Sequence, residues 1–293
     1  MQHIPFIGNA INRMSGAASW TDVLRGLAEF VGKGDIIMRY IDEKPFTLVF
    51  EEVFLRAARA RDINELDLKK QAASLVAAIP SAEPHSRLMN LGTPHILTTN
   101  YDYNLENGSK ARHRDASLRK EQRYSLFRRH MVASQSVWHI HGEVLAPASL
   151  ALGHDHYSGS LHHVRDYLVT RSKRALIKES PFIRGETHFD TSGFPYSWLD
   201  LFLRDHIHIF GFSMDYTEME LWWLLAFKER LRLKGRPVGQ TIFYVGDAER
   251  PTKREQGRWA ILESYRVEVV HLRADTHLDA FDRFIRAFKK RSA

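Results

Sequence analysis

Six short apolar runs punctuate the chain, at residues 3–7, 95–99, 136–140, 206–210, 240–245 and 266–272. They are rich in Ile, Val and Phe, with little alternation. That pattern predicts strands buried on both faces of a largely parallel sheet. Between them the apolar spacing turns helical. A helix is predicted over 20–31, opened by Ser19 as N-cap with Asp22 in its first turn. Residues 46–60 and 64–79 read as a helical pair. Residues 215–233 carry Met219, Trp222, Trp223, Ala226 and Leu233 on or near one face, and Gly235-Arg236-Pro237 ends that helix. The chain closes with an amphipathic helix over 276–290. Leu278, Phe281, Ile285 and Phe288 are expected inward, with Arg283, Arg286 and Lys290 outward.

Strand followed by helix, repeated, implies an α/β fold: a doubly wound, mostly parallel Rossmann-like sheet with helical layers. Two stretches break the alternation, about 34–92 and 143–204. They are expected to form helical insertions or a cap on a single domain spanning 1–293. Residues 180–198, rich in Gly, Ser and Pro, read as a long loop.

Composition narrows the classes. Hydrophobic residues are 44% of 293, enough for a sizeable core, and no run approaches the length of a membrane span. Cys is absent, which excludes a disulfide scaffold, a Cys-ligated zinc module and a Cys nucleophile. The first residues lack a secretory pattern, so the cytoplasm is the expected location. The net charge of +7 biases encounters towards anionic partners. Much of it is local: Lys110, Arg112, Arg114, Arg119, Lys120, Arg123, Arg128 and Arg129 against Glu106, Asp115 and Glu121. A solvated helical face is the simplest expectation for that segment. A rim for a phosphate-bearing ligand, or a dock for a partner, is the sharper alternative, and nucleic-acid binding through 103–130 is a further rival.

The chemistry collects after the strands. The first ends in Gly8-Asn9-Ala10, the second in Thr99-Asn100-Tyr101-Asp102 and the third in His139-Ile140-His141-Gly142. The fourth ends in Gly211-Phe212-Ser213-Met214-Asp215, and the fifth in Gly246-Asp247. In an open parallel sheet ligands bind outside the carboxyl ends of the strands, so these residues should share one edge. Glycine turns allow a backbone to approach a pyrophosphate. Ser213 or Asp215 could equally start the long helix. Asn100 offers a donor and an acceptor, and Asp102 an acceptor for an amide NH₂. Both also suit a turn that ends a strand. His141 is a natural general base near neutral pH. His139 and His141, two apart on one strand, form an alternative metal pair, ranked lower because no carboxylate set at ligand spacing accompanies them.

Several blocks together resemble a known family, the sirtuin-like NAD-consuming domains of bacterial antiphage defence. They are residues 6–12 with Ser19, Trp20 and Asp22; Thr98-Thr99-Asn100-Tyr101-Asp102; His139-Ile140-His141-Gly142; and 209–215. Family sirtuins usually carry Gly-Ala-Gly where this chain has Gly8-Asn9-Ala10. Deacylating members also carry a four-Cys zinc module, so this chain looks like the zinc-less branch. The resemblance implies NAD as substrate and cleavage of its nicotinamide–ribose bond. Asn100, Asp102 and His141 would be catalytic. Gly8, Asn9, Ala10, Trp20, Thr99, Tyr101, Gly211, Phe212, Ser213, Asp215 and Asp247 would bind the dinucleotide. It further implies an effector that depletes NAD during infection, as a homo-oligomer or with a separate sensor: a helicase-like ATPase, an Argonaute or a nucleotide-sensing protein. Neither a membrane nor direct nucleic-acid binding is expected. The rival readings are a silent subunit that binds NAD or ADP-ribose without cutting it, a metal-dependent hydrolase using His139 and His141, and a protein deacylase.

Overall fold

The computed structural model describes all residues except Ser15, Ala17, Ala18, Asp62, 119–122, 171–179, Phe194 and 247–250. One eight-stranded sheet organises it: β1 His3–Ile7, β2 His95–Thr98, β3 His113–Asp115, β4 Arg129–Val132, β5 Gln135–His139, β6 His206–Phe210, β7 Thr241–Val245 and β8 Val267–His271. The order across the sheet is β3-β4-β5-β2-β1-β6-β7-β8. The six strands from β5 to β8 in that order are parallel; β3 and β4 are antiparallel additions at one edge. The six predicted strands agree with the parallel ones to within one residue at each end.

β3 and β4 lie where a solvated helical face was expected. They are short and carry polar and charged residues, as edge strands do, so no apolar run announces them. Arg128 and Arg129 are not solvated either. Arg128 is buried against Glu143, and the Arg129 guanidinium sits 4.9 Å above the Trp138 ring. Arg119, Lys120 and Glu121 lie outside the described residues.

Successive β1 side chains enter opposite layers. Phe6 joins a core with Trp138, Trp198, Phe202 and Leu224, and Ile7 joins one with Phe210, Phe281, Phe284 and Phe288. The helix Met219–Leu233 covers the first face and His277–Ser292 the second. Their inward faces differ in part from the expected ones. Leu278 is 47% exposed and Phe284 is buried in its place; Leu233 is 78% exposed. In the helix Met219–Leu233 the buried stripe is Glu220, Leu221, Leu224, Leu225 and Lys228. Two charged members disguise it in the sequence, and the bulkier Trp222 and Trp223 are only partly buried. That helix also starts later than expected, because residues 214–218 form a turn with Met214 at φ +50°. Within 180–198 a short helix, Pro181–Arg184, interrupts the expected loop, capped by Ser180.

The insertion at 34–92 has a core of its own. Val49, Phe50, Val53, Leu68 and Ala72 pack with Leu24 and Leu27 of the helix Trp20–Phe30, and with Tyr101 and Leu150 from the sheet side. Ser19 caps that helix with a reciprocal bond, accepting from the Asp22 amide while its own amide donates to the Asp22 carboxylate. The connectivity then places a site. From β1 the chain moves outward to β2 and β5, and it returns through 143–204 to β6 on the other flank of β1. Connections from β1 and β6 therefore leave in opposite directions. A crevice opens at the carboxyl ends between them, roofed by the helical insertion.

Candidate active site

The turns after β1 and β6 are joined by backbone bonds. The Gly8 amide donates to the Phe210 carbonyl at 2.9 Å, and the Ala10 amide to the Gly211 carbonyl at 2.8 Å. No side chain fits between them. A Cβ on Gly8 would lie 2.4 Å from the Phe212 Cβ, and Gly211 sits at φ +87°, where glycine is favoured. Against this joint lies a cavity of about 420 Å³. The sheet edge contributes Asn9, Ala10, Thr99, Tyr101, His141 and 211–213; the roof contributes Trp20, Lys44 and Phe46. Beyond the joint a second cavity of about 250 Å³ reaches Tyr244, Gly246 and Trp259. Both are walled by Ala10, Arg13, Gly211, Phe212 and Ser213. A larger cavity of about 510 Å³ lies at the amino ends of the strands, by Gln2, Asp205 and Pro237. Its Arg204 is already held by Asp190 and Asp205.

His141 stands on the wall of the first cavity, its ring edge-on to Tyr157 at 5.2 Å between centroids. Its Nε2 lies 2.7 Å from Glu220 Oε1 and 3.7 Å from Glu218 Oε2. Burial opposes protonation of the ring, but the bond to Glu220 and the charges of Glu218 and Glu220 outweigh it, and the net shift is upward. Burial, with the charges of Glu220 and Asp215, pushes the Glu218 carboxyl up to about 7, against the pull of His141. Gly142 permits the approach: it sits at φ +108°, and a Cβ there would meet the Ser149 carbonyl oxygen at 2.4 Å.

The alternative metal pair, ranked below a general base, is split. His139 Nδ1 donates to the Asn100 carbonyl at 2.9 Å and its Nε2 meets Glu106 at 2.8 Å, away from His141. The carboxylates missing from the sequence pattern nevertheless exist. His141, Glu218 and Glu220 bring their ligand atoms within 4.8 Å of one another, a set that could hold a divalent ion. Glu218 and Glu220 escaped the sequence reading because an acidic pair at the start of a helix looks like solvated capping.

Asn100 and Asp102 are placed differently from His141. Neither borders the cavity, although their neighbours Thr99 and Tyr101 do. Asn100 is buried, and its Nδ2 points to the Gly8 carbonyl at 3.4 Å, behind the joint. Both Asp102 oxygens are engaged, by Asn12 Nδ2 at 2.7 Å and by the Asn104 amide at 3.0 Å. His85 joins the same network through Asn12 Oδ1. This is the turn-ending use of an Asx residue, extended to hold the chain that follows Gly8. Asp215 accepts from the Thr217 amide, and its other oxygen faces Arg254 and Arg258. The Ser213 hydroxyl has no partner among the described residues, and it borders both cavities. Asp247 lies outside the described residues. Sequence reasoning missed Arg13, which borders both cavities and has no ion-pair partner among the described residues.

Among the described residues, no helix is long and apolar enough to cross a membrane. A search of curated proteins returned no match. Residues 94–270 match the family model described as a SIR2-like domain, from the start of β2 through most of β8. The matched span is more than half of the chain and holds the Asn100 turn, His141 and the Gly211 turn, so the chain belongs to the SIR2-like domain family.

Proposed function

We propose that this protein is an NAD glycohydrolase, releasing nicotinamide and ADP-ribose. The observation that carries the reading is the pair of cavities joined across the Gly8–Gly211 turns, with His141 on the wall of one and, at the joint, Arg13 without an ion-pair partner among the described residues. A dinucleotide laid across the joint puts its nicotinamide riboside in the first cavity and its adenosine by Trp259. Its diphosphate then lies at the joint, within the field of the Arg13 cation and beside the Ser213 hydroxyl.

The nicotinamide leaves as a neutral molecule from a cationic ring, so no strong acid is required. The bond between ribose C1′ and the ring nitrogen breaks, and its electron pair returns to the ring. Water oxygen bonds to C1′, and His141 takes the water's proton, an assistance worth roughly 10²–10⁴-fold. Asn100 supports the Gly8 carbonyl from behind, and the Asp102 network holds the start of the next helix in place. The resemblance of the motif blocks further supports an antiphage effector that depletes NAD, acting as an oligomer or with a sensor subunit.

The test is nicotinamide release by the purified chain, alone and with the products of neighbouring genes. His141→Ala is expected to lower ADP-ribose production about 10²–10⁴-fold while circular dichroism stays unchanged, and Asn100→Ala, which removes only the support behind the Gly8 carbonyl, to lower it less. ADP-ribose binding without turnover under every condition would select the silent binding subunit instead. Turnover abolished by a chelator and restored by a divalent ion would select a metal-dependent hydrolase at His141, Glu218 and Glu220.

A further inference from the structure

The pairing of His141 with Glu220 is a strange one to find in a core. Glu220 is fully buried, sits on the inward stripe of its helix, and comes from 79 residues along the chain. Its Oε1 meets His141 Nε2 at 2.7 Å, while its Oε2 has no partner. A buried carboxylate with one oxygen unmet costs the fold stability, and such groups call for an explanation. A leucine at this position would extend the apolar stripe of Leu221, Leu224 and Leu225. What Glu220 does supply is a fixed acceptor for one ring nitrogen of the residue on the cavity wall. His141 Nδ1 has no partner among the described residues, and the ring borders the cavity. Glu218, on the same wall, places a second carboxyl 3.7 Å from Nε2.

We infer that Glu220 is a positioning residue for the NAD hydrolysis proposed above: it accepts the Nε2–H of His141, locks that tautomer, and so presents the Nδ1 lone pair to the cavity. In the chemical step water oxygen bonds to C1′ as the nicotinamide leaves with the bonding electron pair. The water's proton passes to Nδ1. The resulting imidazolium keeps its Nε2–H on Glu220 Oε1 at 2.7 Å, with the Glu218 carboxyl 3.7 Å from the same nitrogen. The inference rests on the hydrolase reading for its chemistry and not for its geometry, so it is tested in two ways.

The first measurement needs no turnover and reads the wild-type chain, a variant serving only for assignment. Long-range proton–nitrogen NMR on the histidine-labelled full chain, with His141→Gln used to assign the signal, reads the tautomer of the neutral ring. The Nε2–H form is expected. The Nδ1–H form overturns the inference, as does a stoichiometric divalent ion bound in place of the Nε2 proton. The second measurement is kinetic. Glu220→Gln should lower kcat about 10²–10⁴-fold, with KM for NAD and affinity for ADP-ribose changed less than about threefold. Glu220→Gln added to His141→Ala should cost nothing further, because Glu220 acts only through the imidazole. Unchanged kcat in the single variant, or another tenfold loss in the double variant, overturns the inference. A wild-type chain that shows the Nε2–H tautomer yet never releases nicotinamide leaves the dyad standing and removes the hydrolase reading.

Discussion

Three residues at the crevice carry most of what is particular to it, and each does so for a different reason. Gly142 works through its backbone: at φ +108°, against the Ser149 carbonyl, it lets the chain leave β5 so that His141 faces the cavity. Gly142→Ala puts a Cβ into that carbonyl and a side chain in a disfavoured region. It should cost about 1–3 kcal/mol, read as a lower urea midpoint, and reduce turnover with it. Arg13 works through charge. It is the cation shared by both cavities, and Lys44 and Arg254, which also border the first, are paired with Glu52 and Asp215. Loss of one charged contact is worth about 1.5–3 kcal/mol. Arg13→Gln should therefore raise KM for NAD about 10–100-fold with kcat little changed. Nicotinamide riboside, which carries no phosphate, should be hydrolysed equally by variant and wild type. His141 was legible as a candidate base from its place after a strand and before a glycine, and the structure puts it on the cavity wall. Its carboxylate partners were not legible, because contact between residues 141 and 220 depends on how two loops are brought together.

At the scale of elements, the final helix shows how an apolar pattern is read correctly in kind and wrongly in phase. Phe281, Phe284, Ile285 and Phe288 share the buried face, and Phe210 stacks on Phe284 at 4.6 Å between centroids. Leu278, one turn earlier, is half exposed and takes no part in that core. Phe284→Ala should destabilise the protein by about 3–5 kcal/mol, while Leu278→Ala should change the melting temperature by a degree or two at most. The helix Met219–Leu233 shows the complementary case. Its buried stripe includes Glu220 and Lys228, and the latter donates to the Phe202 and Asp205 carbonyls and the Thr241 hydroxyl. Charged residues on an inward face invert the sequence signal, so the stripe is visible only once its acceptors are. The two antiparallel strands at that edge were invisible for a related reason: β3 is held by backbone bonds to β4 and β4 by backbone bonds to β5, not by a run of apolar side chains.

For the whole molecule, the distribution of buried histidines sets an acid limit. Burial holds the His95 ring down to about 4 and, with the neighbouring His3, the His208 ring to about 3. In the unfolded chain both titrate near 6.5. Between those values the unfolded state binds protons that the native state refuses, so stability is lost as pH falls from about 6.5 towards 4. Each such histidine contributes up to about 1.4 kcal/mol per pH unit across that window. The urea midpoint should drop steeply between pH 7 and pH 5. His95→Gln should flatten that slope, whatever it does to stability at pH 7; an unchanged slope would remove the assignment.

The parallel strands and their sequence, the helical insertion, and the edge on which the chemistry gathers were all determined by the chain's own apolar pattern. Each rests on local density of buried side chains, which a linear reading detects. The partners of the polar groups were decided only in three dimensions. Topology set Glu220 against His141, brought Arg13 to the joint of two cavities, and committed Asp102 to Asn12 and Asn104 rather than to the cavity. A carboxylate, amide or imidazole is chemically the same residue in any of these settings. What it does depends on which donor or acceptor the packing leaves within 3 Å, and that distance is a property of the fold.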